Sequence, residues 1–233
     1  MKKNPFGNGN DCLDGHIKRQ FINGFYPNRC PYCDGLMKDA EDYACPGCKA
    51  LLPSFSMERF AIGGYFCAAA LRYDGSYAEA VKRFKFKKRA QYAPKLAFVI
   101  TSSVLRIFTP EQVSTIDAVT CVPMHIRDLR SRGYNQAELL ARRCAELMSL
   151  PYRDAIIKIK YNRKQHDLSG AQRIENVRGV YRCADKSLVR GKNVLIIDDI
   201  ITTGATLGAC AKALKSAGAK NIYCAVLCTT VNY

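Results

Sequence analysis

Hydrophobic and polar positions in the second half of the chain follow the pattern of an α/β protein. The segments IDAVTCVP, NVLIID and NIYCAVLCT are short, apolar and rich in β-branched residues, which predicts three buried strands. Between them, NQAELLARRCAELMSL and ATLGACAKALKSAG repeat apolar residues at helical spacing. This alternation predicts a mostly parallel sheet flanked by helices.

Local signals place the ends of these two helices. Asn135 is a typical N-cap, and Glu138 three residues later completes a capping-box pattern. Gly218 is expected to stop the second helix. The predicted buried stripes are Leu140, Cys144 and Leu147 on the first helix and Leu207, Ala211 and Leu214 on the second.

The preceding region is apolar at first and then basic. RFAIGGYFCAAALRYDGSY predicts a pair of strands, with Asp74-Gly75 as a turn signal. Residues 78 to 107 are predicted to be mostly helical, with a break before Pro94. Within this helix lies Lys82–Arg89, here named the basic segment, in which cations surround Phe84 and Phe86.

Two interpretations of the basic segment stay open. Cations interleaved with aromatic rings suit single-stranded nucleic acid, with charges on the backbone and rings under the bases. Alternatively, the two phenylalanines belong partly to the core and the cations only keep the helix solvated. The candidate nucleic-acid residues are Lys82, Arg83, Lys85, Lys87, Lys88 and Arg89.

Composition narrows the class of protein. The 36 Lys and Arg against 20 Asp and Glu give a net charge of +16 over 233 residues, which favours anionic partners. A hydrophobic fraction of 48% indicates a folded chain. The sequence has no apolar run of about 18 residues and no apolar signal-peptide region, so we expect no membrane insertion and a cytoplasmic location.

Two C-x2-C pairs stand near the start of the chain, Cys30 with Cys33 and Cys45 with Cys48. Four thiolates at this spacing can complete the tetrahedral shell of a structural zinc ion. Two disulfides or a duplicated redox motif are the alternatives, which a reducing cytoplasm and the missing βαβ context disfavour. We therefore predict a zinc-binding module at residues 1–56 and an α/β domain at residues 57–233.

A doubled aspartate, Asp198 and Asp199, ends the strand NVLIID and precedes a loop at residues 200–206. Ligands of parallel sheets bind beyond the carboxyl ends of strands. Free N–H groups at the following helix start favour a phosphate, and Gly204 lets the backbone approach it. The two acids can accept hydrogen bonds from neighbouring sugar hydroxyls, so the stretch predicts a ribose 5-phosphate site. A helix start decorated with capping acids would explain neither the second aspartate nor the glycine.

These residues also carry a family resemblance. VLIIDDIITTGATL resembles the phosphoribosyl diphosphate (PRPP) signature of type I phosphoribosyltransferases. With VPMHIRDLRSRGYNQAELLA, RKQHDLSGAQRIENVRGVY and the four cysteines, the chain resembles the ComF family of competence-associated proteins from about Cys30 to Val226. The resemblance implies a type I phosphoribosyltransferase-like α/β fold, preceded by a small zinc-ribbon or knuckle module.

The resemblance implies roles for individual residues. Catalytic roles fall to Asp198, Asp199 and Arg127, although a solvated loop is the alternative for the arginines. Mg2+ would accompany PRPP, held mostly by PRPP oxygens and water. Residues 161–178 would form a mobile flap over the site, in which Gln165, Ser169, Arg173 and Asn176 are polar and spaced across a glycine as in a closing loop. His125 and His166 could move protons, and the alternative is that they are simply exposed loop residues. The implied PRPP ligands are Asp198, Asp199, Thr202, Thr203, Gly204, Ala205, Thr206, Arg127, Arg130 and Arg132.

Two functions follow from the resemblance. The chain would bind PRPP as a switch or cofactor while it handles single-stranded DNA during DNA uptake, working with a membrane-bound partner such as a translocating helicase. Alternatively, it would be an active phosphoribosyltransferase with an unidentified nucleobase or amine acceptor. Both functions require the acidic pair and the phosphate loop, so these motifs do not discriminate between them.

Overall fold

The computed structural model describes residues 28–39, 42–52, 58–161 and 176–230. Its central sheet has five strands in the order β1-β2-β7-β6-β3, and a second sheet pairs β4 with β5. The strands are β1 Glu58–Ile62, β2 Tyr65–Arg72, β3 Ala118–Cys121, β4 Ile156–Lys158, β5 Tyr181–Cys183, β6 Asn193–Ile201 and β7 Asn221–Thr229. The helices are α1 Pro46–Leu51, α2 Gly75–Phe86, α3 Ala93–Ile107, α4 Pro110–Ser114, α5 Ile126–Arg132, α6 Gln136–Leu147 and α7 Ala205–Ser216.

The central sheet is mostly parallel, as predicted. The β2–β7, β7–β6 and β6–β3 pairs are all parallel, and β1 is an antiparallel edge strand. Strands β6 and β7 are buried along almost their whole length, because helices and the small sheet cover the central sheet. The carboxyl ends of the four parallel strands lie along one edge of the sheet, and β6 brings Asp198 and Asp199 there.

The predicted strand pair is confirmed as β1 and β2, but its turn lies elsewhere. The hairpin turns at Gly63-Gly64, whose φ angles of 56° and 88° suit a two-residue turn. Asp74 instead marks the start of α2 as its N-cap residue. The Asp74-Gly75 signal therefore belongs to the connection from β2 to α2.

The helices pack on the sheets through the apolar faces that the sequence predicts. Helix α3 packs on α6 and on the sheet, whereas α7 packs on β6, β7 and the small sheet. The predicted stripe of α7 is buried, and so are Leu140 and Cys144 of α6, but Leu147 is half exposed at the end of that helix. Asn135 caps α6 by accepting a hydrogen bond from the Ala137 N–H at 3.1 Å. The Glu138 carboxylate pairs with Arg142 at 2.9 Å on the next turn.

The helical region at residues 78–107 is interrupted once. Helix α2 ends at Phe86, a 3-10 turn covers Ala90–Tyr92, and α3 begins with Pro94 in its first turn. The break predicted before Pro94 is thus confirmed. No helix in the described part of the chain is both long and apolar enough to cross a lipid bilayer.

Candidate functional site

The acidic pair occupies the carboxyl-terminal part of β6. Asp198 is half-buried and Asp199 is buried, and the Asp199 N–H donates to Asp198 Oδ1 at 2.8 Å. The Asp199 side chain forms an ion pair with Lys85, whose Nζ lies 2.9 Å from Asp199 Oδ1. The helix α2 therefore contributes a cation to the acids at the end of β6.

Crowding of negative charge changes the titration of this pair. Burial, reinforced by the adjacent Asp199 carboxylate, raises the pKa of Asp198 to about 8. The Lys85 ammonium and the Asp199 N–H act in the opposite direction, because both favour the ionised form. Asp198 can therefore change its protonation state near neutral pH.

The phosphate loop is shorter than the sequence predicted. Strand β6 continues to Ile201 and α7 begins at Ala205, so the loop proper comprises residues 202–204. Gly204 has a φ of 73°, a left-handed conformation that side chains rarely adopt. The Thr203 hydroxyl accepts from the Ala205 N–H at 3.4 Å. Thr206 lies in the first turn of α7, whose free N–H groups and dipole favour an anion.

A cavity of about 510 Å³ joins these features. It contains three cationic side chains, from Lys85, Arg132 and Lys158, besides the acidic pair. A smaller cavity, of about 20 Å³, lies between the phosphate loop and the start of α7. Asp198, Ile200 and Thr202 border both cavities, so the acidic pair and the loop are adjacent. The other residues lining the larger cavity include Tyr73, Phe86, Asp128, Gln136 and Tyr181.

The three predicted arginines, Arg127, Arg130 and Arg132, differ in whether they reach the cavity. Their segment forms the short helix α5, which His125 caps by accepting from the Arg127 N–H. Arg132 lines the larger cavity, donates to Gln136 at 3.0 Å and lies 5.1 Å from the centre of the Phe86 ring. Arg127 and Arg130 are exposed and are not among the described residues that line that cavity. Arg127 instead lies over the Tyr161 ring.

The basic segment divides into two groups of three. Lys82, Lys87 and Lys88 are exposed, whereas Arg83, Lys85 and Arg89 are half-buried. Phe84 is fully buried and Phe86 is 63% exposed, so only the first phenylalanine belongs to the core. Among the six candidate nucleic-acid residues, Lys85 also lines the cavity that contains the acidic pair.

The four predicted metal ligands come together. The Sγ atoms of Cys30, Cys33, Cys45 and Cys48 all lie within 4.8 Å of one another, which fits a tetrahedral thiolate site with metal–sulfur bonds of about 2.3 Å. The Cys48 N–H hydrogen bond, with help from the neighbouring thiols, lowers the pKa of Cys45 to about 7. The second pair lies at the start of α1, with Cys45 as its N-cap residue. This cluster could hold a metal ion.

Sequence reasoning missed Lys85 as the ion-pair partner of Asp199 and Lys158 as a cation that lines the same cavity. Burial lowers the pKa of Lys158, which stands at the end of β4. No motif marks Lys158, and Lys85 is hidden among five other cations. Of the predicted flap, Gln165, Ser169, Arg173 and His166 lie outside the described residues, and Asn176 is half-buried.

Comparison with known proteins shows which domain family the second half of the chain matches. Residues 130–232 match the model of the phosphoribosyl transferase domain family, and the sheet order and flanking helices agree with a type I phosphoribosyltransferase fold. A solved structure of adenine phosphoribosyl transferase from Trypanosoma brucei is 14% identical, with a TM-score of 0.41, over 73% of each chain.

Two relatives match most of the chain and therefore give more specific information about its family. Competence protein F of Haemophilus influenzae is 28% identical over 219 residues, covering 85% of this chain and 95% of that protein. DNA utilization protein YhgH of Shigella flexneri is 25% identical over 203 residues, covering 87% of this chain and 84% of that protein. The chain is thus a homologue of competence protein F and the YhgH proteins, as the ComF resemblance predicted, and it carries a phosphoribosyl transferase domain.

Proposed function

We propose that the chain binds PRPP together with Mg2+ in the cavity at the end of β6 and has a ComF-like role in DNA uptake. The observation that carries this proposal is the shared border of the two cavities. Asp198, Ile200 and Thr202 line both of them, so a sugar beside the acids and a phosphate in the loop can belong to one molecule.

Each part of the site suits one part of the ligand. The carboxylates of Asp198 and Asp199 can accept hydrogen bonds from the two ribose hydroxyls. The loop at residues 202–204 and the first turn of α7 offer N–H groups and threonine hydroxyls to the 5-phosphate. Arg132 and Lys158, which line the same cavity, can bind the diphosphate, and Arg132 can do so with two parallel hydrogen bonds. Mg2+ would be held by ligand oxygens and water, as it prefers.

A second function is favoured by the size and lining of the cavity. At about 510 Å³, with Tyr73, Phe86 and Tyr181 on its walls, it has the volume and aromatic surface of a small-molecule site. An acceptor base or amine beside PRPP would make the chain a phosphoribosyltransferase. The cations would then stabilise the departing diphosphate as the anomeric carbon gains oxocarbenium character.

The role in DNA uptake rests on the named relatives and on charge. A net charge of +16 favours nucleic acid, and Lys87 and Lys88 are exposed next to the exposed Phe86 ring. Single-stranded DNA is therefore the partner that we propose. A competence protein such as a DNA-uptake helicase is the second proposed partner. The zinc-binding module at residues 1–56 and the domain at residues 57–233 are proposed as its two units.

The test is calorimetric titration of PRPP with Mg2+ into the zinc-replete wild type and into Asp198→Asn/Asp199→Asn. Removing both acids should weaken binding about 100-fold or more, because two charge-assisted hydrogen bonds are lost. Asp154→Asn, which changes an exposed carboxylate, is the matched control. Wild type that does not bind PRPP would contradict the proposal.

Two additions to the titration separate the two functions. A short single-stranded oligonucleotide that changes PRPP affinity would tie the ligand to DNA handling. Diphosphate release that a nucleobase or amine accelerates would identify an active transferase.

A further inference from the structure

Lys85 stands between two parts of the molecule. On one side its ammonium pairs with Asp199 at 2.9 Å. Two residues earlier, in the same last turn of α2, the Arg83 guanidinium donates to the Pro31 carbonyl at 2.9 Å and to the Tyr32 carbonyl at 3.0 Å. One turn of helix therefore touches both the acidic pair and the cysteine cluster.

Further contacts join the start of α2, and the residues that follow its end, to the region of the first cysteine pair. Arg89 lies 3.4 Å from the Asp34 carboxylate, and the Tyr92 hydroxyl donates to that carboxylate as well. The Tyr32 and Tyr77 rings meet edge to face at 5.7 Å. Both ends of α2 are thus held by residues within or next to the Cys30–Cys33 pair.

The acceptors of Arg83 depend on the geometry of the cysteine cluster. Pro31 and Tyr32 are the two residues between Cys30 and Cys33, so the directions of their carbonyls follow from how these two sulfurs are held. A metal ion on four thiolates fixes that geometry, and removing the ion releases it because metal binding is coupled to local folding.

We propose that the four-cysteine module positions Lys85 at the acidic pair, so that metal binding by the cysteines and ligand binding in the cavity are coupled. The inference rests on the proposed function, since the ligand is PRPP. Lys85 is a positioning residue here: it holds one carboxylate oxygen of Asp199 and leaves Oδ2 to accept from a ribose hydroxyl. Its charge also reduces the repulsion between the two acids and an incoming diphosphate.

Coupling of this kind is reciprocal. If zinc raises the affinity for PRPP by some factor, PRPP must raise the affinity for zinc by the same factor. The second quantity can be measured by competition with a chromophoric chelator, in the presence and absence of PRPP. It requires no turnover and reports on the cysteines directly.

The first experiment compares Lys85→Met with Lys87→Met by PRPP titration in the presence of Mg2+ and zinc. Lys87 belongs to the same segment but is exposed, so it is a matched control. We expect binding to weaken about 10-fold in Lys85→Met and to stay within about 2-fold in Lys87→Met. Lys85→Gln, which keeps a polar end, serves if the methionine variant does not fold. Equal affinities for wild type and both Lys85 variants would overturn the inference.

The pH profile separates positioning from a merely structural role. PRPP binding that needs ionised Asp198 should strengthen as pH rises through its pKa, and removing Lys85 should move this rise to higher pH because a cation that favours ionisation is lost. An unmoved profile would contradict the assigned role. The titratable groups that face Asp198 are Asp199, Lys85, Cys67, Cys121, Tyr181, Cys210 and Cys224. The other titratable or charged groups that line the same cavity are Tyr73, Asp128, Arg132 and Lys158.

The second experiment tests the link to the metal. Chelating zinc from the wild type should weaken PRPP binding by about the same factor as Lys85→Met does. The Arg83→Met variant with zinc bound should show a similar loss. Neither treatment should weaken the Lys85→Met protein further, because the coupled residue is already gone. Fully additive losses would overturn the inference while leaving the proposed function intact. Absence of binding by zinc-replete wild type would instead reject both.

Discussion

The basic segment contains two sets of three cations, which lie on the last two turns of α2 and on the three residues that follow it. Arg83, Lys85 and Arg89 point into the fold and meet carbonyl or carboxylate oxygens. The exposed set differs: Lys82 pairs only across one helical turn with Glu79, where both side chains are about half exposed at 53% and 49%. Such a surface pair contributes little to stability. Equal charge in the sequence therefore corresponds to two different physical roles.

The two aromatic residues of the segment divide in the same way. Phe84 is fully buried and lies 5.9 Å from the Tyr134 ring, whereas Phe86 is 63% exposed beneath Arg132. The Tyr134 hydroxyl donates to the Phe84 carbonyl, which ties the end of α2 to the residue before the α6 cap. The inner face of the segment thus joins three parts of the molecule, while the outer face is free to meet a partner.

The largest expected difference between the two faces lies in the phenylalanines. Phe84→Ala should lower the free energy of unfolding by about 3–5 kcal/mol, because it leaves a cavity in the core. Phe86→Ala should lower it by less than about 1 kcal/mol, since only a partly exposed cation–π contact is lost. Chemical denaturation of both variants measures this. Similar losses in the two variants would contradict the division into faces.

The parts of the molecule that sequence predicted well are those where one local signal decides. The strand β6, the Asn135 cap and the cysteine cluster each rest on residues close together in the chain. The loop at residues 202–204 was predicted too long, because Ile200 and Ile201 stay hydrogen-bonded to β7 beyond the acids. The periodicity that identifies a strand does not show where its last ladder bond falls.

The role of Lys85 could not be predicted from the sequence for a different reason. It depends on a contact between residues 85 and 199, and a cluster of cations gives no preference for one of them. Leu147 shows the same limit on a smaller scale: its spacing fits the buried stripe of α6, yet the helix ends there and the side chain is 51% exposed. Long-range packing decides both cases.

A second prediction compares two neighbouring cations. Arg83→Ala should lower the free energy of unfolding by about 2 kcal/mol, because it leaves the Pro31 and Tyr32 carbonyls without their donor. Lys82→Ala, the exposed control, should change it by less than about 0.5 kcal/mol. Urea unfolding of zinc-replete protein is the measurement. If Arg83→Ala is as stable as Lys82→Ala, the inner cations do not hold the cysteine module.

The third prediction concerns the acids that Lys85 faces. The pKa of Asp198 is raised to about 8, so the folded protein keeps a proton that the unfolded chain releases above about pH 4. Stability from this group is therefore present at low pH and is lost as pH rises toward 8. Asp198→Asn should remove that loss and gain about 1 kcal/mol or more relative to wild type between pH 5 and pH 8.

Urea unfolding at the two pH values measures this gain, with Asp154→Asn as the exposed control. A pH dependence that is the same in Asp198→Asn and wild type would show that Asp198 titrates like an ordinary carboxyl group. In that case the Lys85 ammonium would offset the effects of burial and of the Asp199 carboxylate on the pKa of Asp198.

The smallest expected effect belongs to the outer face. Lys87→Ala/Lys88→Ala should weaken binding of a single-stranded oligonucleotide only several-fold, because each lysine contributes one screened phosphate contact. The sharper signature is the salt dependence: the slope of log affinity against log salt should fall by about 0.7 for each lost contact, or about 1.4 in total. Fluorescence anisotropy over a series of salt concentrations measures both quantities. Lys85→Ala should leave the slope unchanged, since its ammonium is already paired with Asp199. If Lys85→Ala lowers the slope as much as the outer pair does, the segment meets DNA through the same face that contacts the acids, and the contrast between its two faces does not hold.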